Sequence, residues 1–364
     1  MILFSIAKFY KRCHMIKEWN LLRAVACLSI VFLHSTTQTS RIVGHLQNDF
    51  YSLGRILLCF ATPTFIVLSI IILANRYSNK MPDNFWKKRI KFILIPFISF
   101  GIIDALVSKY FNENILIWEK ILENIFTGNF VGWFILVIFQ LYALHHLVVH
   151  FKLAMRWFLP TSLLLMFSYL YMINSGLVNL GDYSHMNKLP IIAWLGYFSF
   201  AFIIGKHYSR ISLFLFRYRW WTLLLVAISL IIVYFSYEAG IRGVHSRRLD
   251  LFPLVFSISS AILAWGQLIP NNNLINIISN YSFGIYLIHW QYQRIFATYI
   301  SNLFSSYLAN VTVLFVISLL ASIFTVKLIS VIPFGSFIVG KIKKRKLLQG
   351  NIKKRIDQNG ELAG

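Results

Sequence analysis

The residues most suited to chemistry are an arginine and a histidine within the first long apolar stretch of the chain. Arg23 and His34 are eleven residues apart, which in an α-helix is three turns plus about 20°, so both side chains project from one face. Along the helix axis they are roughly 16 Å apart, too far for direct contact. Two interpretations stay open. The pair marks two stations along one channel, or Arg23 extends to the membrane interface while His34 is a hydrogen-bonded histidine of the helix bundle.

A second set of ionisable residues lies around the third apolar stretch. Lys88, Arg89 and Lys91 stand just before it. Such a basic cluster either marks the cytoplasmic end of a membrane helix or binds phosphate groups, and the positive-inside rule alone favours the first. Asp104 lies inside the same stretch, where a carboxylate needs a cationic partner such as Arg55 or a histidine.

Other polar residues indicate less on their own. His145, His146 and His150 cluster at a predicted helix end, where the interface with water is the simplest environment. Their spacing fits no metal-binding motif, and the chain has no phosphate-binding loop and no Gly-x-Ser-x-Gly. His289 has apolar neighbours and is expected to face the interior of the bundle. The sequence predicts no metal site and no bound cofactor.

The composition shows what surrounds these residues. Of 364 residues, 58% are hydrophobic and 13% charged, against about 45–50% and 25% in soluble domains. A soluble domain of this size cannot bury that much apolar surface, and disordered chains have low hydrophobicity. The net charge of +23 does not indicate nucleic-acid binding, because the basic residues cluster between apolar runs and there orient helices against anionic lipid. The chain is predicted to be an integral membrane protein.

Ten apolar runs approach the roughly 20 residues that a membrane-spanning helix needs. Because they are continuously apolar rather than alternating, they favour helices over the strands of a β-barrel. The predicted fold class is all-α and multi-pass with about ten transmembrane helices. The predicted spans are Asn20–Thr37, Arg55–Asn75, Ile90–Tyr110, Phe130–His150, Trp157–Ile173, Pro190–Gly205, Trp220–Tyr237, Leu251–Leu268, Tyr281–Ile300 and Asn310–Ile332.

The distribution of basic residues predicts the orientation. With a cytoplasmic N-terminus, 25 of the 35 lysines and arginines fall on the cytoplasmic side and nine on the outer side, with Arg23 inside the first span. The positive-inside rule therefore places both termini in the cytoplasm, in agreement with an even number of spans. The predicted organisation is a basic N-terminal segment over residues 1–19, a transmembrane domain over 20–333 and a basic, lipid-facing tail over 334–364.

Five segments in this order resemble acyltransferase family 3, membrane proteins that O-acylate cell-surface carbohydrates. Leu22 to His34 resembles the family's Arg-x10-His signature in the first helix. The other four are similar to its second-span, third-span, fourth-span and late-span signatures. They are Thr64–Ser69, Lys87–Pro96, Gly132–Tyr142 and Tyr281–His289.

Two departures from the family pattern accompany the resemblance. Ile70 stands where a glycine is usual, and Lys88 to Lys91 replaces an Arg-x-x-Arg. These features also resemble a subgroup that includes the polysaccharide protein of the intercellular-adhesion locus and bacillus-type membrane acyltransferases. In that subgroup the role is described as O-acylation or as export.

The resemblance implies acyl-CoA as a donor used from the cytoplasmic side. Lys88, Arg89 and Lys91, with Arg23, would then bind the phosphates of the CoA head. His34 would act as a general base toward a sugar hydroxyl or as a transient acyl carrier, so His34 and Arg23 are the predicted catalytic residues. Further candidates for lining the site come from the fourth-span and late-span signatures, namely Trp133, Gln140, Tyr286 and His289.

The sequence therefore predicts an acyltransferase of the bacterial cytoplasmic membrane. It would move an acetyl or succinyl group from acyl-CoA to a hydroxyl of an envelope polysaccharide or glycolipid. Its expected partners are acyl-CoA, a surface glycan or lipid-linked sugar, and membrane lipid, without nucleic acid. The alternative is an exporter that moves a polysaccharide without chemistry.

Overall fold

The computed structural model describes residues 16–177 and 181–342, and the regular structure within these two ranges is helical throughout, with no β-strand. The predicted all-α, multi-pass architecture is confirmed. Most of the predicted N-terminal segment 1–19 and most of the predicted tail 334–364 lie outside the described residues.

The two described ranges form fourteen α-helices. In chain order they are α1 (Lys17–Val43), α2 (Asp49–Leu58), α3 (Ala61–Arg76), α4 (Phe85–Arg89), α5 (Ile95–Phe111), α6 (Ile117–Leu122), α7 (Phe134–His150), α8 (Met155–Asn174), α9 (Leu195–Lys206), α10 (Tyr208–Arg217), α11 (Arg219–Glu238), α12 (Leu251–Trp265), α13 (Asn273–Ser301) and α14 (Tyr307–Val331).

Each of the ten predicted spans coincides with helical structure. In the described residues, seven helical segments are long and apolar enough to cross a membrane, and an eighth consists of Ile191–Lys206 and α10, bent by 90° between them. The other two predicted spans correspond to α12, which has only 15 residues, and α13, whose 29 residues include many polar side chains. The total of ten spans and the cytoplasmic position of both termini stay predictions.

Helix α13 packs between α1 and α14, while α3 packs along α9. Association of helices in a membrane depends on small residues that let backbones approach. Gly284 of α13 lies so close to Val326 of α14 that a Cβ atom would be 2.6 Å from the valine side chain. Gly205 of α9 approaches the Ile71 carbonyl of α3 in the same way. The packing of α13 against α1 places these two helices side by side, and both carry predicted site residues.

Irregular backbone occurs at two places beside these central helices. A π turn, Ile90–Leu94, connects α4 to α5. A second π turn, Glu123–Thr127, and a 3-10 turn, Val131–Trp133, lie between α6 and α7, and Gly128 between them has a left-handed φ of 61°. Non-helical backbone at membrane depth is tolerated only where it is buried in protein or lines a cavity.

The described part of the predicted tail packs onto the bundle. Val339 is buried, and Gly340, with a φ of 81°, lies against the ring of Phe283 and the carbonyl of Phe92. Residues 334–342 therefore contribute to the structure next to α13 and the first π turn. The boundary between membrane domain and tail stays a prediction.

Candidate active site

A large vestibule opens at the end of the bundle where α1 begins. Its volume is about 490 Å³. Three of the four cations predicted to hold phosphate groups, Arg23, Lys88 and Arg89, line it. Arg76, at the end of α3, and Lys341, after α14, line it as well. The vestibule thus gathers five cations from four segments of the chain.

The vestibule cations face aromatic rings and neutral polar groups. The Arg89 guanidinium lies over the rings of Phe85 and Tyr142, at 4.8 and 5.0 Å from their centroids. Arg23 donates a hydrogen bond of 3.3 Å from one Nη atom to Ser279 Oγ. Among the described residues none of the five cations forms an ion pair with a carboxylate, so their charges are available to an anionic ligand.

Lys91 occupies a different environment from the neighbouring basic residues. Its ammonium group lies over the ring of Phe337, 4.5 Å from the centroid, and Lys91 is not among the residues that line the vestibule. The structure therefore brings together Lys88 and Arg89 with Arg23, but not Lys91.

A narrow chamber continues from the vestibule into the membrane core. It holds about 140 Å³ and shares six lining residues with the vestibule, among them Arg23, Ser69, Tyr142 and Ser282. Its walls are otherwise mostly apolar. They include Ile30, Phe65, Ile93, Phe134, Ile135, Ile138 and Tyr286. Arg23 therefore stands at the junction between a wide charged space and a narrow apolar one.

His34 lies one helical turn beyond the end of this chamber that is farther from the vestibule. Ile30 of α1 and Tyr286 of α13 line the chamber, and His34 and His289 follow them by four and three residues. The rings of these two histidines have centroids 5.3 Å apart. The ring of Trp290 meets His34 edge-on at 4.9 Å. Arg23 therefore lines the chamber, His34 lies beyond its far end, and both side chains face α13, in agreement with the shared helix face that the spacing predicts.

The two histidines differ in hydrogen bonding. His289 is fully buried, and its Nδ1 forms a 2.8 Å hydrogen bond with the carbonyl oxygen of Ile285. Its Nε2 is buried and has no partner within the described ranges. His34 makes ring contacts with His289 and Trp290 but has no hydrogen bond to any described residue.

The match to a family model covers nearly the whole membrane domain. The acyltransferase domain model of acyltransferase family 3 matches residues 16–327. The chain belongs to this family. It is a membrane-bound acyltransferase and a multi-pass protein of the cell membrane, as the sequence predicts.

Two relatives extend the comparison. The protein named "Putative membrane-bound acyltransferase YfiQ" of Bacillus subtilis (strain 168) is 32% identical over 353 residues, which cover 91% of this chain and 96% of the relative. The "Probable poly-beta-1,6-N-acetyl-D-glucosamine export protein" of Staphylococcus aureus (strain Mu50) is 30% identical over 294 residues, covering 74% and 79%. No solved structure matches the chain.

The four further residues predicted to line the acyltransferase site separate into two pairs. Tyr286 lines the chamber, where its hydroxyl donates to the Val131 carbonyl, and His289 adjoins His34. Trp133 and Gln140 line neither cavity. Trp133 contacts the ring of Trp194, at a centroid distance of 6.0 Å.

Gln140 connects two segments of the acyltransferase through hydrogen bonds. Its side-chain amide donates to the carbonyl of Leu189, at 2.9 Å, and its oxygen accepts the N–H of Ile191, at 3.1 Å. These bonds hold the segment before α9 against α7. Periodicity alone does not distinguish this face of α7 from the face that carries Phe134 and Tyr142 into the cavities.

Asp104 pairs with a cation, as expected, but the examples named as its partner are wrong. Arg294, and not Arg55 or a histidine, lies 3.5 Å from the buried Asp104 carboxylate, and the amide of Gln291 donates to the same oxygen at 2.7 Å. Arg55 instead donates to the hydroxyls of threonines in α1. Arg294 is in the polar second half of α13, and that polarity was the signal available in the sequence.

Potential metal ligands are dispersed in the described part of the chain. Within residues 16–177 and 181–342, no three His, Cys, Asp or Glu side chains lie together as a metal site would require. His145 is buried and its Nε2 bonds the Tyr77 carbonyl at 3.1 Å, so this histidine contributes to packing between α7 and the end of α3.

Proposed function

We propose that the protein transfers an acyl group, acetyl or succinyl, from cytoplasmic acyl-CoA to a hydroxyl of an envelope polysaccharide or glycolipid. The observation that carries the proposal is the joined pair of cavities. A wide vestibule with five cations narrows at Arg23 into an apolar chamber that ends one turn from His34.

The vestibule suits the polyanionic head of CoA. Charge-assisted hydrogen bonds from arginine or lysine to phosphate contribute about 1.5–3 kcal/mol each. Arg76 and Lys341 add two positive charges to those of Lys88 and Arg89, which are predicted to bind the acyl-CoA donor. Because the positive-inside rule assigns this end of the bundle to the cytoplasm, the proposed donor enters from the side where acyl-CoA is made.

The chamber suits the slender arm of the donor. Its volume of about 140 Å³ is below the about 300 Å³ at which ordinary ligand pockets begin, so it fits an extended chain and not a bulky head. With the head held near Arg23, an arm lying along the chamber carries the thioester toward His34. Apolar walls also keep water away from the thioester.

His34 then promotes acyl transfer to the acceptor by one of two routes. As general base, it takes the hydroxyl proton while the hydroxyl oxygen attacks the thioester carbonyl; the C–S bond breaks, and the CoA sulfur leaves with that proton. As carrier, a His34 nitrogen attacks the carbonyl first, the C–S bond breaks, and CoA leaves as the thiol with the N–H proton of the imidazole. The acceptor hydroxyl then attacks the acyl-imidazole, the C–N bond breaks, and the hydroxyl proton returns to the imidazole.

The acceptor class follows from the relatives and from the family resemblance. The family acylates surface carbohydrates, and the Staphylococcus aureus relative carries a name that refers to poly-β-1,6-N-acetylglucosamine. Export without chemistry is the second candidate. The narrow apolar chamber supports transfer over export, because a path for a polysaccharide needs width and polar walls.

The test is transfer of label from radioactive acetyl-CoA or succinyl-CoA to β-1,6-linked N-acetylglucosamine oligosaccharides by protein in lipid nanodiscs. We expect His34→Gln to lose at least about 100-fold in transfer rate, as loss of a general base does, while His150→Gln, a substitution of an exposed histidine at the end of α7, keeps the wild-type rate. Label on the protein without acceptor would identify the carrier route. No transfer by wild type to any envelope glycan, with export intact in cells, would refute the proposal.

A further inference from the structure

His289 is a buried histidine whose protonation pattern is set by its own helix. A neutral imidazole carries one N–H, and a backbone carbonyl can only accept. Because Nδ1 lies 2.8 Å from the Ile285 carbonyl oxygen, Nδ1 holds the proton, and Nε2 is left as a hydrogen-bond acceptor. Nε2 is buried and has no donor within the described ranges.

An unpaired buried acceptor is costly. Such a group loses its hydrogen bonds to water and gains none in the protein, so its presence in a folded protein calls for an explanation such as a role in the site. Tyr286, whose ring is 6.4 Å from that of His289, gives its hydroxyl proton to the Val131 carbonyl instead. The other imidazole in contact with the His289 ring is that of His34.

The separation of the two rings fits a direct hydrogen bond. Their centroids are 5.3 Å apart, about the separation of two imidazoles that share an N–H···N bond of about 3 Å. The bond is not made in the described conformation, in which the rings are tilted by 44°. The last side-chain torsion of His34 is a soft terminal torsion, so rotation about it presents a different edge of the ring to His289.

We propose that His289 is a positioning residue that accepts the N–H of His34 through Nε2. This bond would fix the His34 tautomer and leave the other His34 nitrogen unprotonated toward the acceptor hydroxyl. When His34 takes up the hydroxyl proton, the same bond continues to hold the imidazolium in place. The inference rests on the proposed function, because it assigns His34 the role of base or nucleophile.

Trp290 and Arg41 complete the arrangement from the other side. Trp290 follows His289 in α13 and packs edge-on against the His34 ring, while the Arg41 guanidinium lies 5.1 Å from the centroid of the Trp290 ring. The His34 ring is thus held between consecutive residues of α13. One of them packs against the ring and the other orients its N–H.

The experiment compares His289→Leu, which removes the acceptor, with His289→Gln, whose amide oxygen restores one. We expect His289→Leu to lower kcat for acyl transfer by about 10- to 100-fold, as loss of an orienting partner does elsewhere, with the KM for acyl-CoA unchanged. His289→Gln should recover most of the rate. The double variant His34→Gln/His289→Leu should be no slower than His34→Gln, because the two residues act as one unit.

A readout independent of activity is the ¹⁵N NMR spectrum of histidine-labelled protein in lipid. We expect His34 to show one tautomer in the wild type and in His289→Gln, and a tautomer mixture in His289→Leu. An unchanged His34 spectrum in folded His289→Leu, or a rise in KM without a fall in kcat, would overturn the inference. If the wild type transfers no acyl group, the proposed function fails, and the spectra still decide whether the two histidines are bonded.

Discussion

Replacing Arg294 by methionine should destabilise the protein by about 2–4 kcal/mol. The Asp104 carboxylate is buried and accepts hydrogen bonds from the amides of Gln291, at 2.7 Å, and Asn124, at 3.0 Å. It also forms an ion pair with Arg294 at 3.5 Å. Breaking a buried ion pair from one side costs about 3–5 kcal/mol, since it leaves an uncompensated charge. The expected cost is lower because two amide donors remain and the Arg294 side chain is 17% exposed.

The double variant separates this effect from lost packing. Asp104→Asn removes the charge that Arg294→Met leaves unpaired, so the double variant should cost about 1–3 kcal/mol less than the sum of the two single ones. Arg55→Met is the matched control. Arg55 is also a partly exposed arginine, but its hydrogen bonds go to Thr36, Thr37 and His45 and not to a carboxylate. We expect that control to cost under about 1.5 kcal/mol.

The assay is the free energy of unfolding of the purified protein in mixed micelles titrated with SDS. The result that refutes the reasoning is an Arg294→Met cost equal to that of Arg55→Met, or strict additivity of Asp104→Asn and Arg294→Met. Either result would mean that the carboxylate does not depend on this arginine. A larger loss of unfolding free energy with strong coupling would show that the contacts at Asp104 hold three segments together. These are α5, the π turn Glu123–Thr127 and α13.

Three further predictions concern the donor-binding residues, the loop before α12 and the membrane topology. Lys88→Gln should weaken acyl-CoA binding by about 10-fold or more in a titration with the purified protein. Lys91→Gln removes the same charge and should not weaken it. Equal losses in the two variants would mean that the basic cluster determines topology and does not bind the donor. His245 lies in the loop before α12, where burial and its cationic neighbours lower its pKa to about 4. In the unfolded chain the same histidine takes up its proton near pH 6.5. The free energy of unfolding should therefore fall as the pH drops, by about 2 kcal/mol at pH 5 relative to pH 7. That loss should vanish in His245→Asn, and its persistence in thermal unfolding would show that another group causes it. Reporter fusions after Asn48 should read outside and those after Lys80 inside; a cytoplasmic signal at Asn48 would invert every side assignment.

Much of the helical framework could be predicted from the sequence because it depends on local composition. Each of the ten predicted apolar runs coincides with helical structure, and the spacing of Arg23 and His34 placed both on the face of α1 that meets α13. The 11-residue separation works because α1 is one unbroken helix from Lys17 to Val43. Such predictions need only the period of the α-helix.

What the sequence did not indicate depends on contacts between distant segments. Arg294 and Asp104 are far apart in the chain, and nothing local pairs them. Trp133 and Gln140 lie in a segment that resembles a family signature, yet neither lines a cavity, because α7 borders two neighbours and has no uniquely polar face. Lys341 joins the vestibule only because the chain after α14 folds back onto the first π turn.

The separation of Lys91 from Lys88 shows how irregular backbone builds the site. In an α-helix, residues three apart share a face, so a regular helix through this segment would present both lysines to the same surroundings. The backbone instead changes at Ile90 to a π turn, whose wider turn shifts the following residues around the axis. Lys88 consequently lines the vestibule, whereas Lys91 packs over Phe337. A bilayer tolerates such a departure only next to protein or a cavity, so the turn can form because the vestibule and the segment after α14 flank it. The break before Phe134 obeys the same condition at the chamber, and both departures from regular helix therefore lie beside the path proposed for the donor.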